Sequence, residues 1–259
     1  MMNPIDQLIA CLDGGVLLIK SDHKELPVSL LRVQNEGEAS AESDFSILTP
    51  TMCAEFVYYE PKTEIIDRRA EMPHNPEPDH AGFVEAFGPE ATDWPRRFVE
   101  DITGITIHHT LSHSAKDLFD WITRSKAEGG KGYPRGQYHY WIGQEEGAPV
   151  SQLLEDTVGC WHDHTGRIQT TLSVGMAGHL GNARPPEAQL WNTVRLCWEL
   201  VQKYGLSVDD VQGHNDRYGH TVCPGWYADS AATINSGVWR RDFDIALRCC
   251  VDGKEWGGY

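Results

Sequence analysis

Basic residues are scarce in this chain. Across 259 residues, 22 lysines and arginines stand against 38 aspartates and glutamates, a formal charge of −16. A nucleic-acid partner is therefore not expected, because a polyphosphate is bound by a basic face. Long apolar runs are missing too. The best, Gly14 to Ile19, falls far short of the roughly 18 residues of a membrane helix, and Asp6 and Asp13 precede it. No membrane span is expected. The same short run and acidic start do not read as a secretory signal, so the expected site of synthesis is the cytoplasm. A disulfide framework is not expected either. The seven cysteines, Cys11, Cys53, Cys160, Cys197, Cys223, Cys249 and Cys250, are odd in number and irregular in spacing. Most read as buried, reduced thiols. What remains is an ordinary globular composition, long enough to bury a full core.

The acidity is uneven. Residues 1–95 carry 6 basic and 18 acidic side chains, and residues 96–259 carry 16 and 20. Two regions with different roles are implied. In the first, Val16–Ile19, Val28–Val33 and Phe56–Tyr59 read as strands, and the small, acidic run Glu36–Ser43 reads as a loop. Prolines then crowd: Pro73, Pro76, Pro78, Pro89 and Pro95. Proline fixes φ and disfavours helix in the residue before it, which predicts an extended linker or wrapping arm. The expected organisation is an acidic N-terminal region at 1–70, a linker at 71–95, and a principal domain at 96–259 that ends in a helical tail.

The pattern sharpens in that domain. Ile102–Thr110 alternates β-branched residues and delivers His108 and His109 at its C-terminal end. Ser114 is an N-cap for a helix carrying Leu118, Phe119, Trp121 and Ile122, stopped by the Gly129–Pro134 segment. Gln137–Gly143 reads as a strand, joined by a hairpin through Glu145–Gly147 to another at Val150–Leu154. Thr171–Met176 is a further strand. Pro186–Tyr204 is the clearest amphipathic helix, with Leu190, Val194, Cys197, Trp198 and Val201 on one face and Gly205 as its stop. Val211–His214 is a last short strand. Strands alternate with helices, so the predicted class is α/β, a central mixed β-sheet flanked by helices. The tryptophans Trp121, Trp191 and Trp198 are expected in the core; Trp226 fits either setting.

Three side chains have the chemistry of metal ligands at strand ends or tight turns: His108, His214 after Gly213, and Cys223 within Thr221-Val222-Cys223-Pro224-Gly225. A catalytic zinc site takes three protein ligands and keeps one position open. With twelve histidines in the chain, spacing alone does not single these out.

Ile107-His108-His109-Thr110, Tyr138-His139, Gly213-His214 and Thr221–Gly225, in this order, resemble the zinc-dependent type 2 N-acetylmuramoyl-L-alanine amidases. That family includes phage lysozyme-type endolysins and the peptidoglycan recognition proteins. The resemblance spans about residues 98–235. It implies a Zn2+ ion held by His108, His214 and Cys223. It implies a catalytic role for Tyr138, at the position of a tyrosine that hydrogen-bonds the reacting water or the substrate carbonyl. It also implies a catalytic role for Thr221, which falls where some members carry Lys and others Thr, and Trp161-His162 resembles a loop that lines the substrate groove. The implied partner is peptidoglycan or its soluble muropeptides. The implied reaction is hydrolysis of the amide joining N-acetylmuramic acid to L-alanine. Two alternatives stay open: a non-catalytic peptidoglycan-binding module and a cytosolic muropeptide-recycling amidase. The proton donor to the leaving amine is also open among Tyr138, a water and His109, although strand alternation turns His109 to the other face. His164 is a weaker candidate for substrate contact, and His220 a weak rival ligand. Asn215 stands where the family often has Arg, and Thr171-Leu172-Ser173-Val174-Gly175 where it often reads Asn-x-Ser-Ile-Gly.

Overall fold

A computed structural model describes residues 7–11, 16–20, 29–32, 64–145, 149–163, 170–181, 183–226 and 239–252. The expected strand Phe56–Tyr59, the loop 36–43, the tip of the hairpin at Glu146-Gly147 and His164 lie outside these residues. The chain divides into two compact units, Lys62–Val251 and Met1–Pro61 with Asp252–Tyr259. In the latter, β1 (Gln7–Cys11), β2 (Val16–Lys20) and β3 (Ser29–Arg32) form an antiparallel sheet in the order β1-β2-β3.

The larger unit contains, in chain order, β4 (Ile65–Asp67), α1 (Ala81–Phe87), β5 (Gly104–His109), α2 (Ala115–Thr123), β6 (Tyr140–Ile142), β7 (Val150–Gln152), β8 (Thr171–Met176), α3 (Glu187–Tyr204), β9 (Val211–Gly213), α4 (His214–Tyr218) and all but the last residue of α5 (Trp239–Asp252). Six strands make one sheet in the order β4-β7-β6-β8-β5-β9. It is mixed: β6 and β7 pair antiparallel, and the other neighbours pair parallel. The expected class is therefore observed.

β5 and β8 are buried along their whole length, as central parallel strands covered on both faces should be. Ile105, Ile107, Leu172, Val174 and Met176 alternate onto one face. There they meet Leu190, Val194, Cys197 and Val201 of α3 and Trp239, Phe243 and Leu247 of α5. The opposite face receives Thr106, His108, Thr171, Ser173 and Gly175, by the period of two along a strand. The helix signals act as anticipated. Ser114 accepts the Asp117 N–H at 3.2 Å and starts α2, and Gly205, at φ 62°, ends α3. The α2 stop comes earlier than expected, at Thr123, and Gly129 instead ends a short 3-10 turn at Lys126–Glu128. Trp198 and Trp226 are core residues, but Trp121 is 42% exposed, with Lys131 Nζ 4.9 Å above its ring.

The proline-rich stretch differs most from expectation. Residues 71–95 include a helix and a buried cluster rather than extended linker throughout. His80 Nδ1 accepts the Phe83 N–H and caps α1. Phe83 and Trp94 are buried with Leu154, Val158 and Cys160. β4, at the end of the presumed N-terminal region, pairs with β7. The prolines leave this stretch extended locally, but burial of its aromatic side chains attaches it to the sheet domain.

Candidate metal centre

His108 is the fifth residue of β5 and lies in register with Gly175 of β8. His214 follows Gly213, the last residue of β9, which pairs with Ile107. The parallel pairing of β5 and β9 thus brings the two imidazoles to the same end of the sheet, with ring centroids 4.7 Å apart. Cys223 is delivered by the turn that follows α4. Its carbonyl accepts the Asn215 N–H at 2.8 Å, and its own N–H donates to Thr221 Oγ1 at 3.1 Å. One ligand atom from each of His108, His214 and Cys223 lies within 4.8 Å of the others. Cys223 Sγ is 3.7 Å from His108 Nδ1 and accepts the His109 N–H at 3.2 Å.

The donor set suits zinc. Two imidazoles and a thiolate are three of its preferred ligands, and three ligands leave a fourth position open. Burial first, then the surrounding histidines and Arg217, holds His108 well below its ordinary pKa, so its ring is neutral and able to donate a lone pair. Burial pushes the Cys223 thiol up to about 12 despite the His109 N–H. A divalent cation would reverse that preference and bind the thiolate.

The structure separates the remaining predicted residues. Tyr138 lies before β6 rather than within a strand, its ring 5.5 Å from that of His108. Gly175 makes room for it: a Cβ there would sit 3.1 Å from Tyr138 Cγ and 2.9 Å from Thr110 Cγ2. Burial, then the neighbouring thiols, raises the Tyr138 pKa, so its hydroxyl keeps its proton. The Thr221 hydroxyl is placed on the Cys223 backbone, where it fixes the turn. His162 is only 8% exposed, and its Nδ1 lies 3.1 Å from His108 Nε2. Its Nε2 lies 3.1 Å from Thr171 Oγ1. With His108 Nδ1 turned to the thiol, one tautomer satisfies the network: His108 Nε2–H donates to His162 Nδ1, and His162 Nε2–H donates to Thr171. Burial lowers the His162 pKa to about 4, so the ring is neutral. Trp161, beside it, is half-buried against Phe87 and Trp94. His109 turns away toward His179, ring centroids 5.3 Å apart, and burial lowers its pKa to about 4. His220 is exposed against Tyr218 and is not part of the cluster.

Sequence reasoning missed two contributors. Thr171 ends the hydrogen-bond chain from His108, and no local pattern signals that. Gly175 was visible as a glycine inside a strand, which signals close approach of another group.

Residues 98–226, about half of the chain, match the family model described as N-acetylmuramoyl-L-alanine amidase. No curated protein matches the chain. Among solved structures, the chain is similar to the N-acetylmuramoyl-L-alanine amidase LysC from Clostridium intestinale URNW at 14% identity, covering 72% of this chain and 99% of that one, with a TM-score of 0.48. The Ph2119 endolysin from Thermus scotoductus MAT2119 bacteriophage Ph2119 is 16% identical, with 67% and 99% covered and a TM-score of 0.46. Bumblebee PGRP-SA is 16% identical, with 63% and 90% covered and a TM-score of 0.45. Through residues 98–226, the chain belongs to the N-acetylmuramoyl-L-alanine amidase family.

Proposed function

We propose that this protein is a zinc-dependent amidase that cleaves the bond between N-acetylmuramic acid and L-alanine in peptidoglycan. The observation that carries the reading is the convergence of His108, His214 and Cys223 within a region that matches the amidase family. These three residues would hold the ion. When bound, zinc supplies Lewis acidity toward a carbonyl and lowers the pKa of water.

The chain's own groups do the rest. Tyr138, kept protonated by burial, donates its O–H to the oxyanion that develops as the scissile carbonyl becomes tetrahedral. His162 accepts from His108 and fixes its ring and tautomer, the usual service of a group behind a metal ligand. Thr221 holds the Cys223 turn, and the His109 N–H supports the sulfur. The His109 ring lies beside that of His179. Trp161 serves the substrate groove from the exposed part of its ring.

The test uses the purified full-length chain on two substrates, intact cell-wall sacculi and soluble muropeptides, with metal content measured in parallel. One zinc per chain, release of L-alanine N-termini and loss of activity on chelation are expected. Binding to sacculi without release of amines would overturn the enzymatic reading in favour of a binding module. Cleavage of muropeptides alone would favour recycling over wall lysis, and cleavage of sacculi an endolysin role.

A further inference from the structure

The family match begins at residue 98, yet the preceding arm, residues 64–95, packs along both segments that feed the metal centre. Its backbone follows one of them closely. Asn75 N–H donates to Pro134 O at 2.8 Å, and the N–H groups of Asp79 and His80 both donate to Gly132 O at 3.0 Å. The His80 ring stacks on Tyr133 at 3.9 Å. Trp94, 2% exposed, donates its indole N–H to Gly136 O at 3.1 Å, two residues before Tyr138.

The second segment is held by rings. Phe87, the last residue of α1, lies 5.5 Å from Trp161, and Trp94 lies 6.0 Å from it. Phe83 braces Trp94 edge-on at 5.2 Å. Gln137 Nε2 donates to the Trp161 carbonyl and ties the two segments together. The next residue is His162, whose Nδ1 meets His108 Nε2. A continuous line of contacts therefore runs from α1 to a candidate zinc ligand: Phe87, Trp161, His162, His108.

We propose that the arm positions the metal centre, with Phe87 as a positioning residue that acts through Trp161 to keep His162 on His108. The inference rests on the zinc reading above, but it assigns a role to residues outside the family match. A His108 ring that loses its partner swings more freely and holds the ion less well. Groups behind metal ligands typically change metal affinity by about 10- to 100-fold when removed. Phe87 is one contact further back, so the lower end of that range applies.

The test measures Zn2+ affinity by chelator competition on the full chain, with the visible absorption of bound Co2+ as a second readout. Phe87→Ala should weaken Zn2+ binding by about 10-fold and alter the Co2+ spectrum. Phe87→Leu, which refills most of the volume and is the safer variant for folding, should recover most of the affinity. Leu200→Ala supplies the control. Leu200 is buried on the α3 side of the sheet, so its loss lowers the melting temperature without reaching His108. Unchanged affinity and spectrum in Phe87→Ala, or an equal change in Leu200→Ala, would overturn the proposal. Absence of Zn2+ binding by the unaltered chain would instead overturn the metal-centre reading on which it rests.

Discussion

The two faces of the β5–β8 pair are built from the same twelve residues and do opposite things. Toward α3 and α5, Ile105, Ile107, Leu172, Val174 and Met176 make a continuous apolar layer. On the other side, Thr106, His108, Thr171, Ser173 and Gly175 are equally buried but polar or small. The apolar layer stabilises by loss of water-exposed area and needs no partners in particular. The polar layer is tolerated only because its groups bond to one another. His108 reaches His162, His162 reaches Thr171, and Ser173 donates its backbone N–H to His139 Nδ1 at 3.0 Å. The comparison teaches that one face supplies stability and the other holds the chemistry at fixed angles.

Four substitutions or conditions would break or sharpen it. The largest effect is expected on the polar side: Cys223→Ser should lower Zn2+ affinity by more than about 100-fold, since a hydroxyl is a poor substitute for a thiolate. Full zinc occupancy in that variant, measured by metal analysis after dialysis, would remove Cys223 from the centre. Tyr138→Phe comes next. It should keep zinc and fold but lose roughly 100-fold in turnover, the scale of one missing oxyanion donor. Wild-type turnover would reduce Tyr138 to a packing residue.

Leu172→Ala on the apolar face should act the other way round. It should cost about 2–5 kcal/mol in urea unfolding and leave zinc affinity of the folded protein intact. A large loss of affinity without loss of stability would show that the two faces are not separable.

The smallest effect is one of pH. His139 is buried; its Nε2–H donates to Val158 O at 2.8 Å, while Nδ1 accepts from Ser173. Burial, then Arg97 and His162, holds its pKa down from 6.5 to about 3. Below pH 6.5 the unfolded chain takes a proton that the folded chain refuses. Stability from this group is therefore complete above 6.5 and falls as the pH drops toward 3, by about 1.4 kcal/mol per unit in the middle of the window. The difference in unfolding free energy between pH 7 and 4.5 should be smaller in His139→Gln than in the parent chain by about two pH units' worth, on the order of 2–3 kcal/mol. An identical pH slope in both would show that His139 does not titrate this way.

Much of this was legible from residues with local consequences. Ser114 starts its helix because a side-chain oxygen caps a nearby N–H, and Gly205 ends another because only the left-handed region closes that turn. The spacing of Leu190, Val194, Cys197 and Val201 marked the face that α3 buries. His108, His214 and Cys223 were named by motif and meet in space. The misses are non-local. The five prolines of residues 71–95 correctly disfavour long regular structure, but they say nothing of where Phe83 and Trp94 will be buried. Trp161-His162 marked a groove loop, whereas the His162 ring turns inward to His108, a residue 54 positions away. Trp121 sits off the stripe shared by Phe119 and Ile122, and so faces solvent despite its size.

The order of the strands also dictates when this centre can exist. β5 is made early, but both strands that flank it, β8 and β9, come later in the chain. His108 waits for Cys223, 115 residues downstream. Parallel pairings of such long range form slowly, since a large loop must close before any contact is gained. During synthesis the Ile105–Ile107 strand therefore stays unpaired until most of the domain has left the ribosome. A chain that ends before Cys223 lacks one of the three candidate ligands, so no N-terminal fragment short of that residue can assemble the centre.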